Sequence, residues 1–268
     1  MEKAAPKMVY RFLGNSGLKV SVLSFGTWLT AHDAKAEQAV IECVKEFYDN
    51  VINFFDTAEA YGFGVAEETL GKAIKNLETK RENLVISTKI LRAGVGENDK
   101  FLSRKHILEG LNNSLTRMDL EYVDVVFCHR PDYETPLEET CRAMHYLIEK
   151  GLAFYWGTSE WTAERVTDAV RICERLNLHK PICDQCQYNM LVRERYEKEY
   201  KPLHAQFSNL VFESEIRRCC VIVPLQPTSA RECKQRLVCH TCHVISTCTC
   251  ALKCNLRRHA TVTYGWEM

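Results

Sequence analysis

Three short apolar runs that end in ionisable residues constrain this chain more than any other feature. The runs are Asn53–Tyr61, Leu84–Lys89 and Tyr122–His129. Each is rich in β-branched or aromatic residues and precedes a segment of helical periodicity, which is typical of a buried parallel strand followed by a helix. Asp56 and Lys89 are 33 residues apart, and Lys89 and His129 are 40 apart. Because this is the length of one strand–helix unit, the pattern predicts a carboxylate, an amine and an imidazole at one edge of a sheet.

Six such units can be followed along the chain. Their strands are predicted at Leu23–Thr27, Ile52–Asp56, Leu84–Lys89, Val123–His129, Ala153–Ser159 and Ile182–Tyr188. Their helices are predicted at Ala36–Asn50, Ala66–Lys75, a segment that begins at Ser103, Pro136–Lys150, Ala163–Leu176 and Arg193–Phe207. No Gly-x-Gly-x-x-Gly follows the first strand, which argues against a dinucleotide-binding Rossmann sheet. The regular repeat favours a (β/α)₈ TIM barrel, whose active site lies at the carboxyl ends of the strands.

The two ends of the predicted barrel differ from this repeat. Tyr10–Val22 has the pattern of a hairpin, which could close one end of the barrel. After residue 207 only one further strand, Cys219–Leu225, can be recognised. We therefore expect an incomplete barrel of six to seven βα units over residues 8–207 and an atypical tail over residues 208–268.

The tail is rich in cysteine, with eight of the chain's 14 cysteines between Cys219 and Cys254. Three interpretations stay open. Cys239–His243 matches a haem-attachment pattern, and four thiolates could instead bind zinc. These are Cys233, Cys239, Cys242 and Cys248. Alternatively, the tail binds nothing and is a variant or out-of-frame C-terminus.

Charge and hydropathy exclude some classes of partner. Lys plus Arg equals Asp plus Glu at 35 each, so no nucleic-acid partner is expected. No apolar run is long enough to span a bilayer, and residues 1–7 lack the apolar core of a secretory signal. We therefore expect a cytosolic protein with reduced thiols.

The strand-end residues form a chemically coherent set. A tyrosine with an ordinary pKa near 10 needs a neighbouring cation to become an effective acid partner, and Lys89 could supply that charge beside Tyr61. Asp56 could hold the Lys89 ammonium, while His129 orients a carbonyl. This set suits protonation of a carbonyl oxygen as a cofactor delivers hydride to the carbon. Alternatively, such residues are turn formers or solvated ion pairs.

Several motifs, in this order, closely resemble those of the aldo-keto reductases, and the nearest branch is that of the voltage-gated potassium-channel β subunits. The resemblance extends from about Val9 to Leu203. It rests on Gly26-Thr27-Trp28, Phe55–Tyr61, Ser87-Thr88-Lys89, Leu102–Ile107 with Glu109-Gly110-Leu111, Tyr122–Phe127, Arg130-Pro131-Asp132 and Tyr155–Ser159.

The resemblance implies a (β/α)₈ barrel that binds NADP(H) without a Rossmann domain. It makes Tyr61 the proton donor, with Asp56 and Lys89 tuning it and His129 orienting the substrate. Asp56, Lys89 and His129 also belong to the implied cofactor-binding set. The other members of that set are Thr27, Trp28, Ser159 and Gln185. No metal ligand is predicted at this site.

The chain departs from that branch in two places. Glu160 stands where the branch has an arginine, which brings a negative charge close to a polyanionic cofactor. The residues that grip the adenosine 2′-phosphate in the family are not recognisable after Leu203, so weaker cofactor binding is expected.

The resemblance leaves three functions open. The first is NADPH-dependent reduction of a small aldehyde or ketone, and the imidazole of His129 leans toward turnover because the channel branch usually has asparagine there. The second is a regulatory subunit that docks on a potassium-channel α subunit at the inner face of the plasma membrane, with NADP(H) as a redox-sensing ligand. The third is an inactive, truncated isoform. A homo-oligomer is compatible with the first two.

Overall fold

A computed structural model describes residues 8–28, 34–189 and 192–206. The elements, in chain order, are β1 (Tyr10–Phe12), β2 (Lys19–Ser21), β3 (Ser24–Gly26), α1 (Ala34–Asp49), β4 (Phe54–Asp56), α2 (Val65–Lys75), β5 (Val85–Ile90), α3 (Arg104–Met118), β6 (Val123–Cys128), α4 (Leu137–Glu149), β7 (Ala153–Thr158), α5 (Ala163–Arg175) and α6 (Lys201–Gln206). Short 3₁₀ turns lie at Tyr61–Gly64 and Arg81–Asn83, and a π-helical turn lies at Arg195–Glu199.

Five strands form one parallel sheet in the order β3-β4-β5-β6-β7. Each strand lies beside its predecessor in the sequence, with a helix between them, and the order never reverses as it does in a doubly wound sheet. This arrangement confirms the predicted α/β fold with barrel-type winding. The predicted tail of residues 208–268 lies outside the described residues.

The sixth predicted strand, Ile182–Tyr188, is shorter in the structure than expected. A single parallel bridge joins Asp184 to Thr158 on β7. The Ile182 amide donates to Trp156 O at 2.9 Å, and the Gln185 amide donates to Thr158 O at 2.7 Å. These bonds place the segment beside β7, where a sixth strand of the sheet would lie, although the segment does not form a regular strand.

Alternate residues of the strands face opposite layers. Phe55, Ile86 and Val126 pack in the core between the sheet and the helices. Phe54, Val85 and Val125 belong to a separate inner core, which also contains Leu13 and Val20 of the hairpin region. The hairpin therefore covers the inner core at the end where the strands begin, as the sequence predicted.

The helices begin and pack as their sequences dictate. Ser103 caps α3 by accepting a hydrogen bond from the His106 amide at 3.2 Å, and Thr162 caps α5 in the same way through the Arg165 amide. A Cβ atom at Gly71 would lie 2.4 Å from the Met118 carbonyl oxygen, so glycine allows α2 to approach the end of α3. In the described part of the chain, no helix is long and apolar enough to cross a bilayer.

Candidate active site

Four predicted site residues meet at the edge where the parallel strands end. Asp56 is the last residue of β4, Lys89 lies near the end of β5, and His129 directly follows β6. Tyr61 begins the 3₁₀ turn that follows β4. Because parallel strands end at a common edge, residues far apart in the sequence are brought together there, as the repeat predicted.

Lys89 is the centre of this group, and its side chain is almost fully buried. Its Nζ donates to Asp56 Oδ2 and, at 3.0 Å, to Thr57 O. Burial lowers the pKa of Lys89, but Asp56 and then Tyr61 raise it by more, so the net pKa lies above the usual 10.5. The amine is therefore a fixed ammonium, which is the state that the predicted mechanism needs.

Asp56 is held by more than the ammonium. Its Oδ1 accepts a hydrogen bond from Ser87 Oγ at 2.5 Å, and Ser87 lies directly opposite Asp56 in the ladder between β4 and β5. The sequence motifs assign no role to Ser87. Its role depends on the register of β4 against β5, which the sequence motifs do not specify.

Tyr61 lies within reach of both Lys89 and His129. The Lys89 Nζ is 5.0 Å from the centroid of the Tyr61 ring, and the Tyr61 and His129 rings contact edge to face at 5.5 Å. Burial raises the pKa of Tyr61, Lys89 lowers it, and the net pKa lies above the usual 10.0. The predicted influence of Lys89 is thus present in direction, but burial outweighs it and the phenol stays protonated.

The turn after Tyr61 has an unusual backbone. Gly62 and Gly64 have φ values of 58° and 94°, and Phe63 has a φ of 53° although it is not a glycine. Left-handed conformations of this kind turn the chain sharply. The four-residue turn that begins at Tyr61 thus leads directly into α2, which starts at Val65.

His129 is electrically neutral across the physiological range. Burial, then the charges of Lys89 and Arg130, lower its pKa from 6.5 to about 3. A neutral imidazole carries one N–H donor and one acceptor nitrogen. His129 can therefore donate a hydrogen bond without exchanging a proton with solvent near pH 7.

The residues predicted on the cofactor side lie around the same edge. Thr27 is buried, and its Oγ1 donates to Thr57 Oγ1 at 2.9 Å. Ser159 Oγ donates to Gln185 O at 3.0 Å, and Gln185 Nε2 approaches Asp56 Oδ2 at 3.5 Å. Trp28 follows β3 and has 61% of its surface exposed. Ser159 and Gln185 thus bring a hydroxyl and a side-chain amide to the edge of the sheet where Asp56 lies.

Glu160 does not act as an isolated negative charge. It has a φ of 59°, its Oε2 pairs with Arg195 Nη1 at 2.5 Å, and its Oε1 accepts from the Gln187 amide. The repulsion of a polyanionic cofactor that the sequence suggested is therefore reduced by Arg195.

Glu59 is a second buried carboxylate near the site, and the sequence motif that contains it assigns it no role. Its amide donates to Lys89 O at 3.2 Å, and its Oε1 accepts from the Leu91 amide at 2.6 Å. His106 Nε2 on α3 lies 2.9 Å from the same oxygen. Glu59 thereby ties the loop that carries Tyr61 to the end of β5. Its place between Asp56 and Tyr61 was the available signal.

Comparison with known proteins agrees with this arrangement. A model of the aldo/keto reductase family matches residues 22–212. The crystal structure of a thermostable aldo-keto reductase in complex with the inhibitor epalrestat superposes with a TM-score of 0.64 and 32% identity, covering 74% of this chain and 69% of that chain.

Two curated plant relatives are named probable voltage-gated potassium channel subunit beta. The one from Arabidopsis thaliana is 53% identical over 200 residues, which cover 74% of this chain and 60% of the relative. The one from Oryza sativa subsp. japonica is 49% identical over 203 residues, which cover 75% of this chain and 61% of the relative. The matched region thus spans about 60% of the length of these relatives. Together with the family match, they confirm the resemblance, and the chain belongs to the aldo/keto reductase family.

Proposed function

We propose that this protein is an NADP(H)-dependent oxidoreductase that reduces small aldehydes or ketones, with Tyr61 as the proton donor. The observation that carries the proposal is the meeting of Tyr61 with a buried ammonium and a neutral imidazole. Lys89 lies 5.0 Å from the Tyr61 ring centroid, and His129 contacts the ring at 5.5 Å.

In this mechanism Tyr61 gives its phenolic proton to the carbonyl oxygen of the substrate. The raised pKa of Tyr61 keeps that proton in place before reaction. As the proton leaves, a negative charge develops on the phenolic oxygen, and the ammonium of Lys89 stabilises it. Asp56 contributes by holding Lys89 in the position where this charge appears.

The neutral ring of His129 orients the substrate. A single N–H donated to the carbonyl oxygen would set that oxygen beside the Tyr61 hydroxyl, and alignment of this kind contributes to the rate. The pKa of about 3 means that His129 does not supply the proton itself.

Four residues would hold the nicotinamide end of the cofactor. They are Thr27, Trp28, Ser159 and Gln185. Ser159 and Gln185 offer polar atoms to a carboxamide, and the exposed Trp28 ring offers an apolar face. When bound, NADPH would supply the hydride that reduces the carbonyl carbon.

The test is NADPH consumption by wild type and by Tyr61→Phe with a panel of small aldehydes. Removing the proton donor should lower kcat by about 10² to 10⁴. Tyr133→Phe is the matched control, because Tyr133 is 69% exposed on the loop after β6 and should behave as wild type. Equal turnover by wild type and Tyr61→Phe would rule out the assigned role.

A second candidate function rests on the two plant relatives. It is a regulatory subunit that docks on a potassium-channel α subunit in the cytoplasm, at the inner face of the plasma membrane, with the nucleotide as a redox-sensing ligand. Capture of a channel α subunit without aldehyde-dependent NADPH consumption would favour this candidate. Absence of both, with no NADPH-dependent quenching of tryptophan fluorescence, would indicate an inactive isoform with an altered C-terminus.

A further inference from the structure

A second cluster of ionisable side chains lies at the opposite edge of the sheet, where the strands begin. His145 and Glu149 occupy the last two turns of α4, and His179 lies in the segment that follows α5. One ligand atom from each of the three lies within 4.8 Å of the other two.

The three side chains are already in mutual contact. His179 Nε2 and Glu149 Oε1 are 2.9 Å apart. The His179 amide donates to His145 Nδ1 at 3.2 Å, and the centroids of the two imidazole rings are 5.0 Å apart with the planes inclined by 35°. His145 and Glu149 are four residues apart on α4, so they share one face of the helix.

The supporting backbone is well anchored on both sides. His145 and Glu149 belong to a helix whose opposite face includes the buried Met144 and Leu147. The His179 carbonyl oxygen accepts a hydrogen bond at 2.8 Å from Nε1 of Trp156, a fully buried residue of β7. Because the backbone positions are fixed in this way, a ligand would need to move only the side chains.

We propose that His145, Glu149 and His179 bind a Zn²⁺ ion. Two imidazole nitrogens and one carboxylate oxygen form a donor set that zinc accepts, with bonds of about 2.0 to 2.2 Å and water at the fourth position. Tetrahedral bonds of that length separate the donors by about 3.4 Å. The contact of 2.9 Å between His179 and Glu149 therefore has to open by about half an ångström, and the remaining donors have to close on the ion.

The charge state of the cluster suits a cation. Glu149 is exposed and its Oε1 lies 2.9 Å from His179 Nε2, so the cluster places a carboxylate oxygen beside an imidazole nitrogen, where both can reach one cation. Zinc would take the place of the proton on His179 Nε2, which would move to Nδ1 of the same ring or be released to water, and zinc would compete with the His179 amide for the Nδ1 lone pair of His145.

The site is separate from the one proposed for carbonyl reduction. β7 begins after α4 at Ala153 and ends at Thr158, so its six residues span about 20 Å between the two edges of the sheet. Bound zinc would link the end of α4 to the segment that leads to Asp184. It would act on that segment without contacting Tyr61 or Lys89.

The experiment measures modification of each histidine by diethylpyrocarbonate in the full-length protein, with and without ZnCl₂, by mass spectrometry of peptides. A reading for each histidine is needed because eight cysteines between Cys219 and Cys254 could also bind zinc. We expect zinc to slow modification of both His145 and His179 at least tenfold. In Glu149→Gln, the zinc concentration that gives half protection should rise at least tenfold.

Glu174→Gln is the matched control. Glu174 is a half-exposed carboxylate on α5 that pairs with Lys180 at 2.9 Å and lies outside the cluster. Zinc should therefore protect His145 and His179 in this variant at the same concentrations as in the wild type. His179→Asn provides a second variant, which should abolish protection of His145, and circular dichroism establishes that each variant is folded. Unprotected histidines in the wild type, or an unchanged curve in Glu149→Gln, would overturn the proposal.

Discussion

Two ion pairs that are largely buried lie at opposite edges of the same sheet and have different roles. Lys89 and Asp56 pair where the strands end, and Arg81 and Asp124 pair where they begin. Both join neighbouring strands, and both remove a cation and a carboxylate from most contact with solvent. Burial and charge pairing by themselves therefore do not distinguish a reactive site from a structural one.

The difference lies in what surrounds each cation. The terminal nitrogens of Arg81 donate to Leu84 O, Tyr122 O and Asp124 Oδ2 at 2.9, 3.1 and 2.7 Å, and the guanidinium covers the Tyr122 ring at 4.2 Å. These contacts hold together the first residues of β5 and β6. Lys89 instead has the titratable phenol of Tyr61 beside it. A buried cation next to a titratable group can stabilise a developing charge, whereas Arg81 is committed to backbone carbonyls.

Another buried carboxylate, Asp184, sharpens the comparison because its hydrogen-bond donors are neutral. It accepts from Thr158 Oγ1 at 2.7 Å, from Tyr200 OH at 3.1 Å and from the Trp161 amide at 3.4 Å. Burial raises its pKa from 3.8 to about 6 despite these bonds. Neutral donors thus do not offset the cost of burying this charge.

The largest effect is expected when the ammonium beside Tyr61 is removed. Lys89→Met leaves the phenolate without its counter-charge and Asp56 without its cation, so kcat for aldehyde reduction should fall by about 10³ or more. Steady-state NADPH oxidation measures the change. Arg81→Met is the comparison variant, and its turnover for each folded molecule should stay within about threefold of wild type.

The contrast between the two pairs fails if Lys89→Met and Arg81→Met lose activity to the same degree. In that case both residues would act only by supporting the sheet. Fluorescence and circular dichroism must establish that both variants are folded at the assay temperature before the rates are compared.

The next largest effect is a loss of stability at the opposite edge. Arg81→Met leaves Asp124 buried without its cation, and breaking a buried pair in this way costs about 3 kcal/mol or more. Urea denaturation at neutral pH measures the free energy of unfolding. Lys80→Met is the control, because Lys80 is 79% exposed and its pair with Glu82 should contribute less than about 1 kcal/mol. Equal stability of these two variants would contradict the structural role of Arg81.

A smaller, pH-dependent effect is expected at Asp184. Its folded-state pKa of about 6 lies above 3.8, so the folded protein binds this proton more tightly than the unfolded chain does. The protonated carboxyl therefore favours folding at low pH, and this contribution declines from about pH 4 and is lost above about pH 6.

Asp184→Asn removes that titration. The difference in unfolding free energy between wild type and the variant should shift against the wild type by about 2 to 3 kcal/mol between pH 4 and pH 7. Urea denaturation at several pH values measures it. A difference that stays constant with pH would mean that Asp184 has an ordinary pKa in the folded protein.

The sequence anticipated the pair of Asp56 and Lys89 better than the pair of Arg81 and Asp124, and the reason is physical. Asp56 and Lys89 follow apolar runs at a regular spacing, so the repeat alone places them at one edge. Asp124 lies inside an apolar strand and Arg81 in a turn, and no spacing relates them. Their contact depends on the register of β5 against β6, in which Ser87 lies opposite Val125.

The same limit explains what was missed or misjudged elsewhere. Ser87 and Glu59 act through register and loop geometry, which short motifs do not encode. The sequence predicted that Lys89 would favour the Tyr61 phenolate, but the depth of burial decides the net pKa and cannot be read from spacing. The cluster of His145, Glu149 and His179 joins two segments that are 30 residues apart and lie outside every quoted motif.

The smallest effect is expected at His129. Unlike Lys89 and Arg81, this residue carries no charge at neutral pH. Because its pKa is about 3, the pH profile of kcat/KM should show no inflection from this group between about pH 5 and pH 8. An amide can donate a hydrogen bond as a neutral imidazole does, so His129→Asn should retain activity within about tenfold, whereas His129→Leu should lose more. An inflection near pH 6.5 that disappears in His129→Asn would show that the ring titrates in the working enzyme. Burial, Lys89 and Arg130 would then not be lowering the pKa of His129 as the structure indicates.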